Sequence, residues 1–229
     1  MCPKTLTNRA ILRLAGLALP LAACVDQQAA PSPSNTLPLT ASATGRATID
    51  DFQTGPDAMT LSTTGLVQKA QAGTMLGGNR CVALTVTGNT YARPASVELR
   101  ADPQGYLAVD TGVGVDHSLM LLYGYDDQCN ARPLDEDLSD FAAFEIRLAA
   151  LDLDVAGAIA VWTPTGTASA PLDIQAGSTV KTINFDTFTG TPDWAHVQHL
   201  IFEVQSGGAV AAHDYLLRSI SAVTMPPTP

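Results

Sequence analysis

The sequence of 229 residues is short of aromatic and of basic side chains. Aromatic residues make up 6% of it, and 12 Lys and Arg stand against 22 Asp and Glu, for a formal net charge of −10 at pH 7. Proteins that bind nucleic acid neutralise phosphates with Lys and Arg, and electrostatic adhesion to anionic lipid needs the same residues. The charge therefore argues against both partners. It leaves two interpretations open, solubility through net charge or affinity for divalent cations.

Motifs of the common hydrolase and nucleotide-binding sites are also lacking. The chain contains no G-x-S-x-G, no H-E-x-x-H and no G-x-x-x-x-G-K-[ST]. His196 and His199 are three residues apart in a predicted strand, where an odd spacing puts them on opposite faces. We therefore assign no catalytic residue. A hydrolase built on acidic side chains is the remaining enzyme hypothesis.

The start of the chain lacks a long hydrophobic run but has the order of an export signal. Three basic residues and no acidic one precede an apolar stretch from Leu14 to Leu21, which is about half as long as a membrane-spanning helix. The sequence Leu21-Ala22-Ala23-Cys24 resembles the lipobox of bacterial lipoproteins. The resemblance implies that residues 1–23 are removed and that Cys24 is lipidated. Such lipidation would anchor the chain stably, because two or more acyl chains hold a protein on a membrane. An ordinary secretory signal is the alternative.

The residues after Cys24 bear on location and on domain organisation. In lipoproteins of Gram-negative bacteria an Asp directly after the cysteine commonly means retention in the inner membrane; Val25 stands there instead, so the resemblance favours the outer membrane. Residues 24–45 are rich in Pro, Ser, Thr and Ala and predict a flexible tether. Residues 46–224 are then one domain, and residues 225–229 a disordered tail.

Only two cysteines remain for the domain, Cys81 and Cys129. In an oxidising compartment an isolated pair is most simply a disulfide. Closing a loop of roughly fifty residues stabilises the fold by at most about 4 kcal/mol, because the unfolded chain loses entropy. Two free thiols, or half of a metal site, are the alternatives.

The domain has mainly a period-two pattern of apolar residues. In the segment from Arg80 to Thr87, every second residue is apolar, with Val82, Leu84 and Val86 on one face. Nine or ten such short runs are separated by Gly, Asp, Asn and Pro clusters, and no long amphipathic helix is evident. The pattern predicts an all-β sandwich, most simply a jelly roll.

Three short segments add a resemblance to a known family. The domain opens with Ala47-Thr48-Ile49-Asp50-Asp51-Phe52, has Leu134-Asp135-Glu136-Asp137-Leu138-Ser139-Asp140-Phe141 in the middle, and closes with Asp214-Tyr215 before Ile220. This order resembles the galactose-binding-like jelly rolls of exported bacterial proteins and of carbohydrate-binding modules. In such modules, acids of the first and last strands often share a structural calcium.

The resemblance implies a calcium site and a sugar-binding face. The matching acids are Asp50, Asp51 and Asp214, although Arg218 stands where a second Asp commonly precedes the final Ile, so an acid–arginine pair is the alternative. Such modules stack sugars on exposed aromatic rings, for which the sequence offers two candidate pairs: Tyr123 with Tyr125, and Tyr91 with Arg93. We therefore expect a membrane-anchored, non-catalytic module that binds a glycan or an envelope protein. An acid-based hydrolase and a purely structural envelope lipoprotein are the alternatives.

Overall fold

A computed structural model of the chain describes residues 39, 42, 45–55, 57–100, 105–206 and 211–224. The predicted signal segment with its lipobox, Cys24, nearly all of the predicted tether and the tail lie outside these residues. Within them, no helix is long and apolar enough to cross a bilayer.

The described residues form thirteen β-strands and two short 3-10 turns. In chain order the strands are β1 (Arg46–Asp50), β2 (Asp57–Leu61), β3 (Gly65–Ala72), β4 (Asn79–Asn89), β5 (Ala95–Arg100), β6 (Tyr106–Thr111), β7 (Val115–Tyr123), β8 (Ala143–Leu151), β9 (Val155–Thr163), β10 (Gly166–Pro171), β11 (Val180–Asn184), β12 (His199–Ser206) and β13 (Tyr215–Val223).

The strands make two antiparallel sheets that enclose one apolar core. The seven-stranded sheet has the order β11-β8-β13-β6-β5-β2, and β1 pairs with β13 beyond the end of β6. The six-stranded sheet has the order β10-β9-β12-β7-β4-β3. The predicted all-β sandwich is therefore confirmed.

The period-two pattern determines which side chains enter the core. On β4, Val82, Leu84 and Val86 are buried as predicted. On β7, buried residues alternate with half-buried ones from Val115 to Tyr123. Because successive side chains of a strand point to opposite faces, each sheet also presents an outer face, and these faces are where a ligand can bind.

The structure contains the predicted disulfide between Cys81 and Cys129, whose Cα atoms are 5.5 Å apart. Cys81 lies on β4, whereas Cys129 lies in the connection from β7 to β8 with a φ of 61°. The bond fastens this connection to the six-stranded sheet across 48 positions of sequence.

We expect the double variant Cys81→Ala/Cys129→Ala to lose up to about 4 kcal/mol of unfolding free energy, because the unfolded chain regains the closed loop's entropy. Urea unfolding of the full chain measures the loss. Adding reductant should lower the midpoint of the parent and leave that of the double variant unchanged. An equal midpoint for parent and variant without reductant would show that the bond contributes nothing.

Candidate functional site

A groove of about 640 Å³ crosses the outer face of the seven-stranded sheet. Its floor is a row of residues that are paired in register across four adjacent strands. In order across the sheet they are Ala150, Leu216, Ala108 and Glu98. Three strand spacings make this floor about 14 Å long. Two of the floor residues are alanines, so the backbone of the sheet is covered only by methyl groups there. Longer side chains stand on either side of the floor.

Acidic side chains stand along one side of the floor. Asp110, Asp152 and Asp214 all line the groove and are exposed. They are joined through the backbone, since the N–H of Asp214 donates to Oδ1 of Asp152 at 2.9 Å and the N–H of Thr111 donates to Oδ1 of Asp214 at 3.2 Å. The three carboxylates are thus held at the start of β13.

The crowding of these acids changes the acidity of the central one. Partial burial raises the pKa of Asp214 above its ordinary value, and the nearby charges of Asp110 and Asp152 raise it further. The hydrogen bond from the Thr111 N–H opposes the rise. The site therefore offers carboxyl oxygens that gain from any ligand able to donate hydrogen bonds to them.

The other side of the floor carries an aromatic ring and a cation. The guanidinium carbon of Arg100 lies 5.6 Å from the centroid of the Tyr106 ring, and Nη1 of Arg100 donates to the Tyr106 hydroxyl at 3.0 Å. Arg100 also bonds the carboxylate of Glu98. Tyr106 is half-buried at the groove wall. Tyr106 and Arg100 therefore lie on the opposite side of the floor from the row of acids.

The prediction that Tyr123 belongs to an exposed ligand face is wrong. Its side chain is fully buried between the sheets, and its hydroxyl donates to Oδ2 of Asp50 at 2.8 Å. Burial raises the pKa of Tyr123, which keeps the phenol protonated as a donor. Tyr123 shares the inner face of β7 with Leu119 and Leu121, so the ring is part of the core.

The predicted calcium site of Asp50, Asp51 and Asp214 is also contradicted. The carboxylate of Asp50 pairs inside the core with Nη1 of Arg80 at 2.5 Å, so a cation from the chain itself neutralises it. Asp51 accepts the N–H of Gln53 in the following turn. Asp50 lies opposite Ile220, six positions from Asp214, which is roughly 20 Å along a strand. Among the described residues, no group of three or more His, Cys, Asp or Glu side chains could hold a metal ion.

Tyr125 lies on the outer face of the other sheet, apart from Tyr123. Its ring and that of Trp162 each lie 5.3 Å from the ring of His199. Trp162 is 38% exposed, and Tyr125 is half-buried. We call Tyr125, Trp162 and His199 the aromatic patch. Of the predicted pair Tyr123 and Tyr125, Tyr125 is thus the member at the surface, and it lies near Trp162.

Tyr91 and Arg93 are exposed, but they lie far from the aromatic patch. Both are in the turn after β4, whose last residue pairs with the first residue of β7, whereas Tyr125 follows the end of β7. The separation is roughly 30 Å along the strand. The Tyr91 ring lies over Gly114, where an added Cβ would come within 2.5 Å of it. The four predicted ligand residues therefore do not form one site.

Tyr106 and Asp110 were missed in the sequence analysis, although a signal for them exists. Tyr106-Leu107-Ala108-Val109-Asp110 has the alternation of a half-buried strand, and Leu107 and Val109 are its buried members. The same alternation assigns Tyr106, Ala108 and Asp110 to the opposite, outer face. No pattern along the chain indicates that Asp152 and Asp214 come beside this strand.

No protein-family model matches the chain, and no curated protein matches it either. Among solved structures, it is similar to the family 11 carbohydrate-binding module of a cellulosomal cellulase from Clostridium thermocellum, at 14% identity over 80% of this chain and 97% of that one, with a TM-score of 0.42.

Two further structures are similar at the same level. The Clostridium thermocellum family 11 module in complex with a β-1,3-1,4-mixed-linked tetrasaccharide matches at 15% identity over 80% of this chain and 98% of that one, with a TM-score of 0.40. A family 61 module solved with β-1,4-galactotriose matches at 8% identity over 60% and 86%, with a TM-score of 0.34. At these identities and scores, the matches assign no function to this chain.

The variant Tyr123→Phe tests the role of this residue in the core. We expect it to lose about 1–3 kcal/mol of unfolding free energy, because the buried carboxylate of Asp50 loses a donor while the ring still fills its place. Chemical unfolding measures the change. Tyr125→Phe is the matched control and should change stability by less than about 0.5 kcal/mol. Equal effects of the two variants would contradict the core assignment.

Proposed function

We propose that this chain is a non-catalytic binding module that holds glycans in the groove of the seven-stranded sheet. The observation that supports it most is the composition of the groove: the Tyr106 ring on one side and the carboxylates of Asp110, Asp152 and Asp214 on the other. A sugar ring has an apolar face and a rim of hydroxyl groups. The groove offers a partner for each.

The chemistry of the two sides explains how a sugar would be held. Hydroxyl groups donate to ionised carboxylates in short, charge-assisted hydrogen bonds. The C–H face of a pyranose packs on the Tyr106 ring, as other apolar groups pack on aromatic rings. The floor of Ala108, Ala150 and Leu216 is long enough for a short oligosaccharide. The two alanines of this floor let the bound sugar lie close to the sheet.

The same acids argue for binding rather than hydrolysis. Glycoside hydrolases place two carboxyl groups about 5 Å apart when they retain configuration and further apart when they invert it. A side-chain hydrogen bond between Asp110 and Asp214 contributes to the raised pKa of Asp214, so these two carboxyl groups are closer together than either arrangement requires. An acid-based hydrolase is therefore the weaker interpretation of this groove.

The location belongs to the same proposal. The lipobox resemblance of Leu21-Ala22-Ala23-Cys24 supports lipid anchoring, and Val25 favours the outer membrane in a Gram-negative source. A tether of about twenty residues would hold the binding domain clear of the bilayer. We propose that the module presents its groove to glycans of the envelope or of its surroundings.

We expect Tyr106→Ala to lower oligosaccharide affinity at least about tenfold, equivalent to about 1.4 kcal/mol, because the stacking surface is removed. A glycan array with the full chain identifies the ligand, and calorimetry then measures the affinity of each variant. Asp110→Ala should have an effect of similar size through the lost hydroxyl acceptor.

Two variants control for the position of the site. Tyr91→Ala removes a more exposed tyrosine outside the groove and should leave affinity unchanged. Trp162→Ala removes the most exposed ring of the aromatic patch and should also leave it unchanged. A loss of binding in Trp162→Ala with none in Tyr106→Ala would move the site to the other sheet. No binding by the parent to any glycan would refute the proposal.

The lipid anchor is tested by Cys24→Ser. In a bacterial host, this variant should incorporate no labelled fatty acid, because the thioether and the amino-terminal acylation both require the cysteine. The full chain should then leave the detergent phase for the aqueous phase on partitioning. Cys2→Ser is the matched control and should be labelled like the parent. Labelling of the Cys24 variant would contradict lipidation at this residue.

A further inference from the structure

Directly beneath the acidic side of the groove, two imidazoles and a phenol are enclosed in the domain. The exposed fractions of His117, His213 and Tyr215 are 2%, 6% and 1%. The ring of His117 lies 6.3 Å from that of His213 and 6.3 Å from that of Tyr215, with centroids as the reference points. The first comes from β7 in one sheet, and the other two come from the start of β13 in the other sheet.

These rings have little to stabilise a positive charge. Both ring nitrogens of His117, Nδ1 of His213 and the Tyr215 hydroxyl have no hydrogen-bond partner among the described residues. The carboxylate of Asp116, on the same strand, raises the pKa of His117 through its negative charge. This carboxylate already accepts a hydrogen bond from the Ser206 hydroxyl at 2.9 Å.

The elements around His117 contribute few other groups that titrate. The start of β13 contributes His213 and Tyr215, whereas β12 and β6 contribute Ser206 and Thr111, which do not titrate. The acids Asp110, Asp152 and Asp214 face the groove on the other side of the sheet. The sequence of residues 207–210, Gly-Gly-Ala-Val, contains no ionisable side chain.

Three consecutive residues at the start of β13, His213 to Tyr215, contribute both to the groove and to the buried cluster of rings. His213 and Tyr215 point inward, and Asp214 between them points outward into the groove. The hydroxyl of Thr111 accepts the His213 N–H and donates to the His213 carbonyl, each at 3.0 Å, while the Thr111 N–H bonds the Asp214 carboxylate. A displacement of His213 therefore moves Asp214.

We propose that the His117–His213 pair is an acid-sensitive latch, which releases the start of β13 when His117 is protonated and so weakens ligand binding in the groove. The link to the ligand rests on the proposed function, whereas the latch itself does not.

The electrostatics give the direction and the size of the effect. Burial, with His213 as a further cause, lowers the pKa of His117 to about 4, and Asp116 opposes the fall. A state in which His117 meets water has the ordinary value near 6.5. Above about pH 6.5 both states are neutral, and the latch is fully stable. As the pH falls towards 4 the open state gains protons first, so at pH 5 it is favoured about 20-fold more than at pH 7.

The experiment measures opening in the full chain without any ligand. Native-state hydrogen exchange at the Tyr215 amide, corrected for the intrinsic rate, should show a protection factor that falls about 20-fold between pH 7 and pH 5. An NMR titration should place the pKa of His117 near 4. A His117 that titrates near 6.5 in the folded protein would overturn the proposal.

Two variants assign the effect to this pair. In His117→Phe, which fills the same space without a titratable group, the acid-dependent loss of protection should disappear, and His199→Phe should keep it. If His117→Phe does not fold, the NMR titration of His117 in the parent protein still tests the proposal. Loss of protection that persists in a folded His117→Phe would overturn the latch.

A binding measurement then separates the latch from the groove. Affinity for the array-identified oligosaccharide should fall from pH 7 to pH 5 in the parent and stay level in His117→Phe. Affinity that falls equally in both would refute the coupling. A parent that binds no glycan even at pH 7 refutes the groove function, while hydrogen exchange still tests the latch.

Discussion

The ion pair between Asp50 and Arg80 is the interaction on which the closed sandwich depends. Asp50 ends the first strand of one sheet, whereas Arg80 and Tyr123 belong to the other, and all three are buried. The carboxylate also accepts the Phe52 N–H, and the guanidinium also donates to the Thr54 carbonyl and the Gln71 side chain. Because a buried charge without its partner is strongly destabilising, the sheets can close only in the register that brings these groups together.

This arrangement separates the interior of the domain from the groove. With Asp50 paired inside the core, Asp214 is the member of the predicted calcium set that lines the groove on the outer face of the seven-stranded sheet. Strand alternation then sorts consecutive residues: Leu107 and Val109 support the core, while Tyr106 and Asp110 line the groove. Around Asp214 the same alternation connects the groove to the buried histidines. The groove and the core are therefore connected through single strands.

The sequence predicts the sandwich because the period-two pattern is a local property of each strand. It fails for Tyr123 because β7 is apolar on both faces: Met120 and Leu122 alternate with Leu119 and Leu121, so the pattern does not say which face is inside. The Asp50–Arg80 pair spans thirty positions and leaves no local trace. The groove needs residues of four strands, from Ser96 to Leu216, which only the sheet topology brings together.

The most direct test of this account is to map the ligand-binding surface by NMR. Titrating the full chain with an oligosaccharide identified on an array should shift the amide signals of Tyr106, Asp110 and Asp214 and leave those of Trp162 and Tyr125 in place. Shifts confined to Trp162, Tyr125 and their neighbours would contradict it, because the binding surface would then lie on the six-stranded sheet and the groove would have another role.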